Sequence, residues 1–250
     1  MSRRRAPFLR WSFWRMTMTQ HRLTTTGQIG DGREAAAADY VERHARPGDI
    51  DDVLDIIDEY AYRKSFLVNI GDEKGLLLDA AVRRADPELA LELGTYCGYG
   101  ALRIARAAPA ARVISVELAE ANAQVARRIW AHAGVSDRIS CVVGTIDDGG
   151  RTLEALNREH KVSAAALGLV FLDHNKERYL PDLRTIMDQG WLRPGAVVVA
   201  DNVRLPGSPR YRAYMREQQG ITWRTTEHKT HGEYGIELPD LVLESVYLGG

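Results

Sequence analysis

From Leu89 onward the sequence alternates short apolar runs with stretches of helical periodicity, and this alternation constrains the fold more than any other feature. Runs at 89–93, 112–117, 138–143, 166–173 and 196–201 read as strands, with helical segments at about 98–108, 119–133, 149–160 and 177–188. Repeated strand–helix units demand an α/β architecture: a parallel sheet with helices on both faces. After Asp201 the pattern changes. A helix at about 209–218 leads to strands near 221–227 and 241–248, which are placed to close one sheet edge as a hairpin, giving a mostly parallel seven-stranded sheet.

Ahead of Leu89 the apolar spacing is helical. Ala37, Tyr40 and Val41 mark one segment and Val53, Leu54, Ile56 and Ile57 another, broken by Pro47-Gly48. A third segment covers Lys74 to Ala85 and ends before Pro87. These helices are expected on the sheet edge or as a lid, with the loop Val68–Asp72 placed to touch a ligand. Residues 1–30 read as a disordered leader before a single domain, 31–250. Arg3, Arg4 and Arg5 precede Phe8, Leu9, Trp11, Phe13 and Trp14, but Arg10 and Arg15 interrupt every apolar run, and no small-residue cleavage site follows. No stretch is long enough to span a bilayer. A basic-aromatic contact with a membrane surface is the alternative reading of this segment.

The net charge of −1 carries no electrostatic footprint for nucleic acid. Two cysteines, Cys97 and Cys141, cannot build a disulfide framework, which suits a reducing cytoplasm. Cys97 reads as a small buried residue in a tight loop; a nucleophile is the competing reading.

Between the first strand and its helix lie Gly94, Gly98 and Gly100. Glycines let backbone approach a ligand, and the following helix start offers free N–H groups. The next strand ends at Glu117, about where an acid would meet ribose hydroxyls. Together these point to a nucleoside cofactor, although the spacing does not match the dinucleotide fingerprint and the loop alone is also compatible with a plain tight turn.

Two further strands end in acids that a core does not need: Gly168–Asp173, and Ala196–Asp201 with Asn202 behind it. Ligands of open parallel sheets bind beyond the carboxyl ends of the strands, and neighbouring strands lie about 5 Å apart. Asp173, Asp201 and Asn202 thus form an oxygen-only set suited to Mg²⁺, unless they merely cap the following helices. Lys176, three residues after Asp173, is either a proton acceptor beside that metal or a solvated residue at a helix start. His174 suits packing or hydrogen bonding better than Mg²⁺ ligation.

The segments Asn69-Ile-Gly-Asp72, Leu91-Glu-Leu-Gly-Thr-Tyr-Cys-Gly-Tyr99, Phe171-Leu-Asp-His-Asn-Lys-Glu-Arg-Tyr-Leu-Pro-Asp182 and Ala200-Asp-Asn-Val203 with Pro206-Gly207 closely resemble the catechol O-methyltransferase family, in the same order along the chain. The likeness runs from about Gly48 to Tyr247. It implies a Rossmann-like S-adenosylmethionine-dependent methyltransferase fold and Mg²⁺-dependent methylation of one hydroxyl of a small-molecule catechol. On that resemblance Asp173, Asp201 and Asn202 hold the metal, Lys176 takes the hydroxyl proton, and Glu233 and Asn202 contact the substrate. Glu117 binds the cofactor ribose; Ile70, Glu92, Gly94, Tyr96, Gly98 and Gly100 line its methionine end, with Asp173 close by. Leu118, Gly144, Thr145, Ile146, Asp147 and His174 surround the adenine.

Several positions depart from the family. Gly100 stands where serine is usual, Ile146-Asp147 replaces serine-glutamine, and Asn175 and Phe66 occupy two tryptophan positions of the gate, while Pro206 remains. A more open and polar mouth is expected. The resemblance therefore leaves room for another vicinal diphenol as acceptor, of caffeoyl or flavonoid type, or for a non-catalytic S-adenosylmethionine-binding protein. It does not fix the oligomeric state.

Overall fold

The computed structural model describes residues 11–18 and 26–249. The expected leader, 1–30, therefore lies partly outside the described residues. Helices α1 (Trp11–Met18), α2 (Arg33–His44), α3 (Ile50–Arg63) and α4 (Gly71–Ala85) precede strand β1 (Leu89–Leu93). The alternating part follows as α5 (Tyr99–Ala107), β2 (Arg112–Glu117), α6 (Glu120–His132), β3 (Ile139–Val143), α7 (Arg151–Arg158), β4 (Leu167–Leu172), α8 (Tyr179–Asp188) and β5 (Leu192–Ala200). Then come α9 (Pro209–Glu217), β6 (Trp223–His231) and β7 (Pro239–Tyr247). Among the described residues no helix is long and apolar enough to cross a membrane.

The seven strands form one sheet in the order β3-β2-β1-β4-β5-β7-β6. The first five are parallel, and β7 runs antiparallel to both β5 and β6. The hairpin at the edge is thus present, with its second strand inserted against β5. Pairing carries β6 out to His231 opposite Pro239, past the end that its polar composition predicts.

Helix α4 lies on a face of the sheet, while α2 and α3 pack on each other and on the helices α6 and α5. Val41, Val53, Ile57, Leu78 and Val82 are fully buried in the same cluster as Ala90, Leu169 and Val197 of the strands. Each apolar stripe gains about 1.5–3 kcal/mol per large side chain by burial, which an edge position offers only in part. The opposite face packs Leu156, Leu183, Ile186 and Met215 on Leu91, Val170 and Val198. Helix α4 starts at Gly71, three residues before the position that its pattern predicts, because Gly71 adopts φ +75° and lets the chain enter the helix abruptly.

Register fixes where the strands end. Leu93 pairs with Val116 on one side and Leu172 on the other, and Leu172 pairs with Ala200. Gly94, Glu117, Asp173 and Asp201 consequently emerge in one row along the carboxyl edge. The strand order reverses between β1 and β4, which opens a crevice at that point.

Candidate active site

The row of strand ends is closely packed at its centre. Gly94 has φ +100°, and a Cβ there would lie 2.5 Å from the Asp173 carbonyl oxygen, so only glycine allows the first and fourth strand ends to touch. At Gly100 an added Cβ would lie 2.1 Å from Glu92 Oε1, so any side chain there requires the Glu92 carboxylate to shift.

Beyond β4 and β5 the predicted residues meet. Lys176 Nζ donates to Asp173 Oδ1 at 2.9 Å and to the Tyr179 hydroxyl at 2.7 Å. Tyr179 in turn donates to the Asp201 carbonyl at 3.0 Å. Asn202, in the left-handed region at φ +55°, donates from Nδ2 to Glu233 Oε1 at 2.6 Å and Asp240 Oδ2 at 3.0 Å. Burial pushes the Asp173 carboxyl up, opposed by Lys176 and Lys74. Burial also pushes Asp201 up to about 7; Lys74 opposes this and the charges of Asp173 and Glu233 add to it. Carboxylates crowded in this way are relieved by a cation.

Two members of the network carry no signal in the strand-end pattern. Lys74 Nζ lies 2.8 Å from Asp201, 2.5 Å from Glu233 and 3.2 Å from Asp240. Burial alone would depress the Lys74 ammonium, but the three carboxylates raise it above its ordinary value. Asp240 also accepts the backbone N–H groups of Leu205 at 3.0 Å and Leu241 at 2.7 Å. It stands at the start of the apolar run Leu241-Val242-Leu243, not at its end, and faces the site only because β7 is antiparallel.

The donor set fits a small hard divalent ion. Asp201, Glu233 and Asp240 present oxygens within 4.8 Å of one another, but Lys74 Nζ occupies that corner. Asn202 turns both amide N–H bonds toward carboxylates, so its Oδ1 is the amide atom left to serve as a ligand.

Two further residues with buried polar atoms, Glu92 and His174, flank the strand ends. Glu92 is buried; Ser115 donates to its Oε2, while Oε1 has no partner, and burial drives its carboxyl well up despite that bond. His174 contacts Asp182 at 2.9 Å through Nε2, as a hydrogen-bonding residue, and leaves Nδ1 buried and unpartnered. A cavity of about 390 Å³ is walled by Leu118, Val143, Gly144, Thr145, Asp148 and Thr152. Ile146 packs in the core below, and Asp147 pairs with Arg178 at 3.1 Å. Glu117 accepts N–H bonds from Thr95, Tyr96 and Ala119 and one from Asn122 Nδ2, and Asn122 also donates to the Gly27 carbonyl at 2.7 Å. Gly27 packs so near that a Cβ on it would lie 3.1 Å from Glu117. Ile70 is buried, and Tyr96 donates to Glu34 at 3.0 Å. Cys97 is fully buried with its thiol pushed well up by desolvation, the state of a packing residue and not of a nucleophile.

Comparison with known proteins bears on this arrangement. The model of the O-methyltransferase family matches residues 50–218. A Mycobacterium tuberculosis protein described as a "probable O-methyltransferase" is 73% identical over 227 residues, covering 91% of this chain and 97% of the relative. The chain belongs to the O-methyltransferase family. Catechol O-methyltransferase of Mus musculus is 37% identical over 222 residues, which is 88% of this O-methyltransferase and 81% of the mouse chain. In structure, an O-methyltransferase of Bacillus cereus solved with SAH superposes with a TM-score of 0.62 at 22% identity, over 85% of this chain and 97% of that one. The sheet order is accordingly that of the Rossmann-like methyltransferase fold.

Of the two positions where tryptophan is expected, Asn175 is exposed and Phe66 is shut away. It packs edge-on against Phe13 of α1 at 5.5 Å and against Tyr234 at 6.0 Å. Behind Glu233, the hydroxyls of Tyr234 and Tyr99 donate to Asp58 at 3.1 and 3.0 Å. Burial, with the charge of Asp72, raises the Asp58 carboxyl to about 7 against those two bonds. A raised folded-state value means that the native protein binds the proton more tightly, so the stability linked to it is present at acid pH and is lost as pH rises through about 7. Denaturant melts from pH 5 to pH 8.5 are expected to show this decline, to which Asp201, also raised to about 7, adds. Asp58→Asn is expected to reduce it; an unchanged slope in the variant would exclude Asp58 as a source.

Proposed function

We propose that this O-methyltransferase moves a methyl group from S-adenosylmethionine to one hydroxyl of a catechol, with Mg²⁺ held by Asp173, Asp201 and Asn202. The observation that carries this reading is the single bonded network linking Lys176 and Asp173 with Asp201, Asn202 and Glu233 at adjoining strand ends. A binding protein would need neither a base nor an oxygen-only ligand set.

Bound S-adenosylmethionine supplies an electrophilic methyl on sulfonium, and bound Mg²⁺ acidifies the hydroxyl that attacks it. The chain does the positioning. Lys176 Nζ, oriented by Asp173 and Tyr179, accepts the proton of the attacking hydroxyl. Glu233 accepts a hydrogen bond from the second hydroxyl, and Asn202 is locked to Glu233 at 2.6 Å, so both contacts move as one unit. Glu92 Oε1 and His174 Nδ1 offer unsatisfied polar atoms to the cofactor, and the cavity at Leu118, Gly144 and Thr145 offers it an apolar slot. Ribose binding at Glu117 requires Gly27 to yield its place. Alignment of this kind removes roughly 7–11 kcal/mol from a bimolecular barrier.

The exposed Asn175 at the gate supports a second acceptor class, a vicinal diphenol carrying a larger caffeoyl or flavonoid substituent. Mass spectrometry of a catechol panel with S-adenosylmethionine, run with Mg²⁺ and with EDTA, tests both. Mono-methylated product that vanishes with EDTA is expected. Undiminished product in EDTA would remove the metal from the scheme, and no product from any vicinal diphenol would remove the acceptor class.

A further inference from the structure

We propose that Lys74 and Asp240 are positioning residues of this site: the Lys74 ammonium fills the cation position among Asp201, Glu233 and Asp240, and Asp240 turns the Asn202 amide so that its oxygen is left for the metal. The inference rests on the Mg²⁺-dependent reading given above.

Lys74 enters from the first turn of α4, and the local sequence explains how. Gly71 lies against the Glu233 turn, where a Cβ would come to 3.4 Å of the Glu233 Cβ. At Gly75 a Cβ would meet the Arg103 guanidinium at 2.3 Å. The two glycines let α4 press its start onto the site and drive the lysine inward to 1% exposure. A buried ammonium is costly unless fully paired, and here both Asp201 oxygens lie 2.8 Å away, with Glu233 and Asp240 completing the shell.

Charge balance explains why the lysine is there. Asp173, Asp201, Glu233 and Asp240 bring four negative charges when ionised, and Lys74 and Lys176 bring two positive ones. With Lys176 protonated the remainder is two negative charges, which one divalent ion neutralises. With Lys176 as the neutral amine that accepts the hydroxyl proton it is three, so the cation of Lys74 counts for more. Without Lys74 the remainder is larger and three carboxylates within 4.8 Å of one another lose their cation.

Asp240 acts on orientation. Both groups facing Asn202 Nδ2 are acceptors, Glu233 Oε1 and Asp240 Oδ2, and this selects one of the two amide rotations. The other Asp240 oxygen ties down the N–H groups of Arg204, Leu205 and Leu241, so the selecting carboxylate is itself fixed. In Asp240→Asn a donor would face Asn202 and Lys74, and the selection is lost. Partners that orient metal ligands are typically worth about 10–100-fold in metal affinity.

The test is Mn²⁺ binding to the cofactor-free full chain, followed by calorimetry and by electron paramagnetic resonance of the free ion. S-adenosylmethionine affinity serves as the control for fold. Wild type is expected to bind one Mn²⁺. Asp240→Asn is expected to bind it about 10–100-fold more weakly, Lys74→Met to take up a second ion, and Lys74→Arg to return to one; S-adenosylmethionine binding should stay within about threefold throughout, since neither residue lines the cofactor side. A wild-type isotherm in Asp240→Asn overturns the role of Asp240, and a single unchanged site in Lys74→Met overturns that of Lys74. Should Lys74→Met fail to fold, Lys74→Gln replaces it with the same two outcomes. Wild type that binds no Mn²⁺ would instead overturn the metal reading, and this inference with it.

Discussion

Asp201→Ala is expected to abolish methyl transfer, lowering kcat/KM by about 10³-fold or more, while S-adenosylmethionine still binds. A metal supplies several kcal/mol of stabilisation, and each 1.36 kcal/mol is a factor of about ten in rate. Asp201 is fully buried and shared between the expected metal position and Lys74, so its loss strips a ligand and leaves the lysine with fewer counter-charges. Breaking a buried pair from one side costs about 3–5 kcal/mol, and a lowered melting temperature should accompany the loss of activity. On the proposed reading the cofactor is held at Glu92 and the Leu118 cavity, away from Asp201, and calorimetry with S-adenosylmethionine should therefore give a near-normal affinity. Activity within tenfold of wild type would mean that Asp201 holds no metal on the reaction path.

Lys176→Met should lower kcat by about 10²–10⁴-fold, the range typical of a placed proton acceptor, with KM for the cofactor and Mn²⁺ binding preserved. Nζ has two partners: Tyr179 keeps its bond to the Asp201 carbonyl at 3.0 Å, while the Asp173 carboxylate loses its cation. The melting temperature should fall less than in Asp201→Ala, because the Asp173 and Lys176 side chains both remain 14% exposed to solvent. That separates this variant from Asp201→Ala, where activity, metal and stability fall together. A nitrophenolic catechol, already ionised at neutral pH, should recover much of the lost rate in Lys176→Met. If the loss is equally large with the ionised acceptor, Lys176 positions the substrate and does not take its proton.

These expectations separate the two halves of the crevice. The oxygen-rich half beyond β4 and β5 handles the acceptor, and the half beyond β1 and β2 handles the donor. Gly94 joins them, because backbone contact with Asp173 leaves no room for a side chain between the two.

Much of this was legible in the chain. The strand–helix alternation determined a parallel sheet, since apolar runs of five or six residues between helices can bury both faces only in that way. Acids at the ends of apolar runs located Asp173 and Asp201, because ligands of a parallel sheet bind beyond the carboxyl ends of its strands; Glu92, buried within β1, shows that a carboxylate can also sit inside a strand. Glu233 was reachable only through the resemblance of motifs, since it lies in a turn between polar strand ends. The N-terminal helices were expected on the sheet edge or as a lid; amphipathicity says that a stripe must be covered and does not say by which surface, and α2 and α3 find theirs on the helices α6 and α5.

What the sequence alone determined is therefore periodic or terminal: the order and type of elements, the carboxyl-edge acids, the glycine turn. Lys74 and Asp240 belong to the tertiary structure. Lys74 reaches Asp201 across 127 positions of sequence and Asp240 across 166, separations at which no local pattern can signal a contact. Asp240 faces the site because β7 runs against β5, bringing the start of one strand beside the end of the other; Leu243 opposite Ala200 sets that register. Strand direction in a hairpin at the sheet edge is settled by pairing and packing partners, and those exist only once the chain has folded.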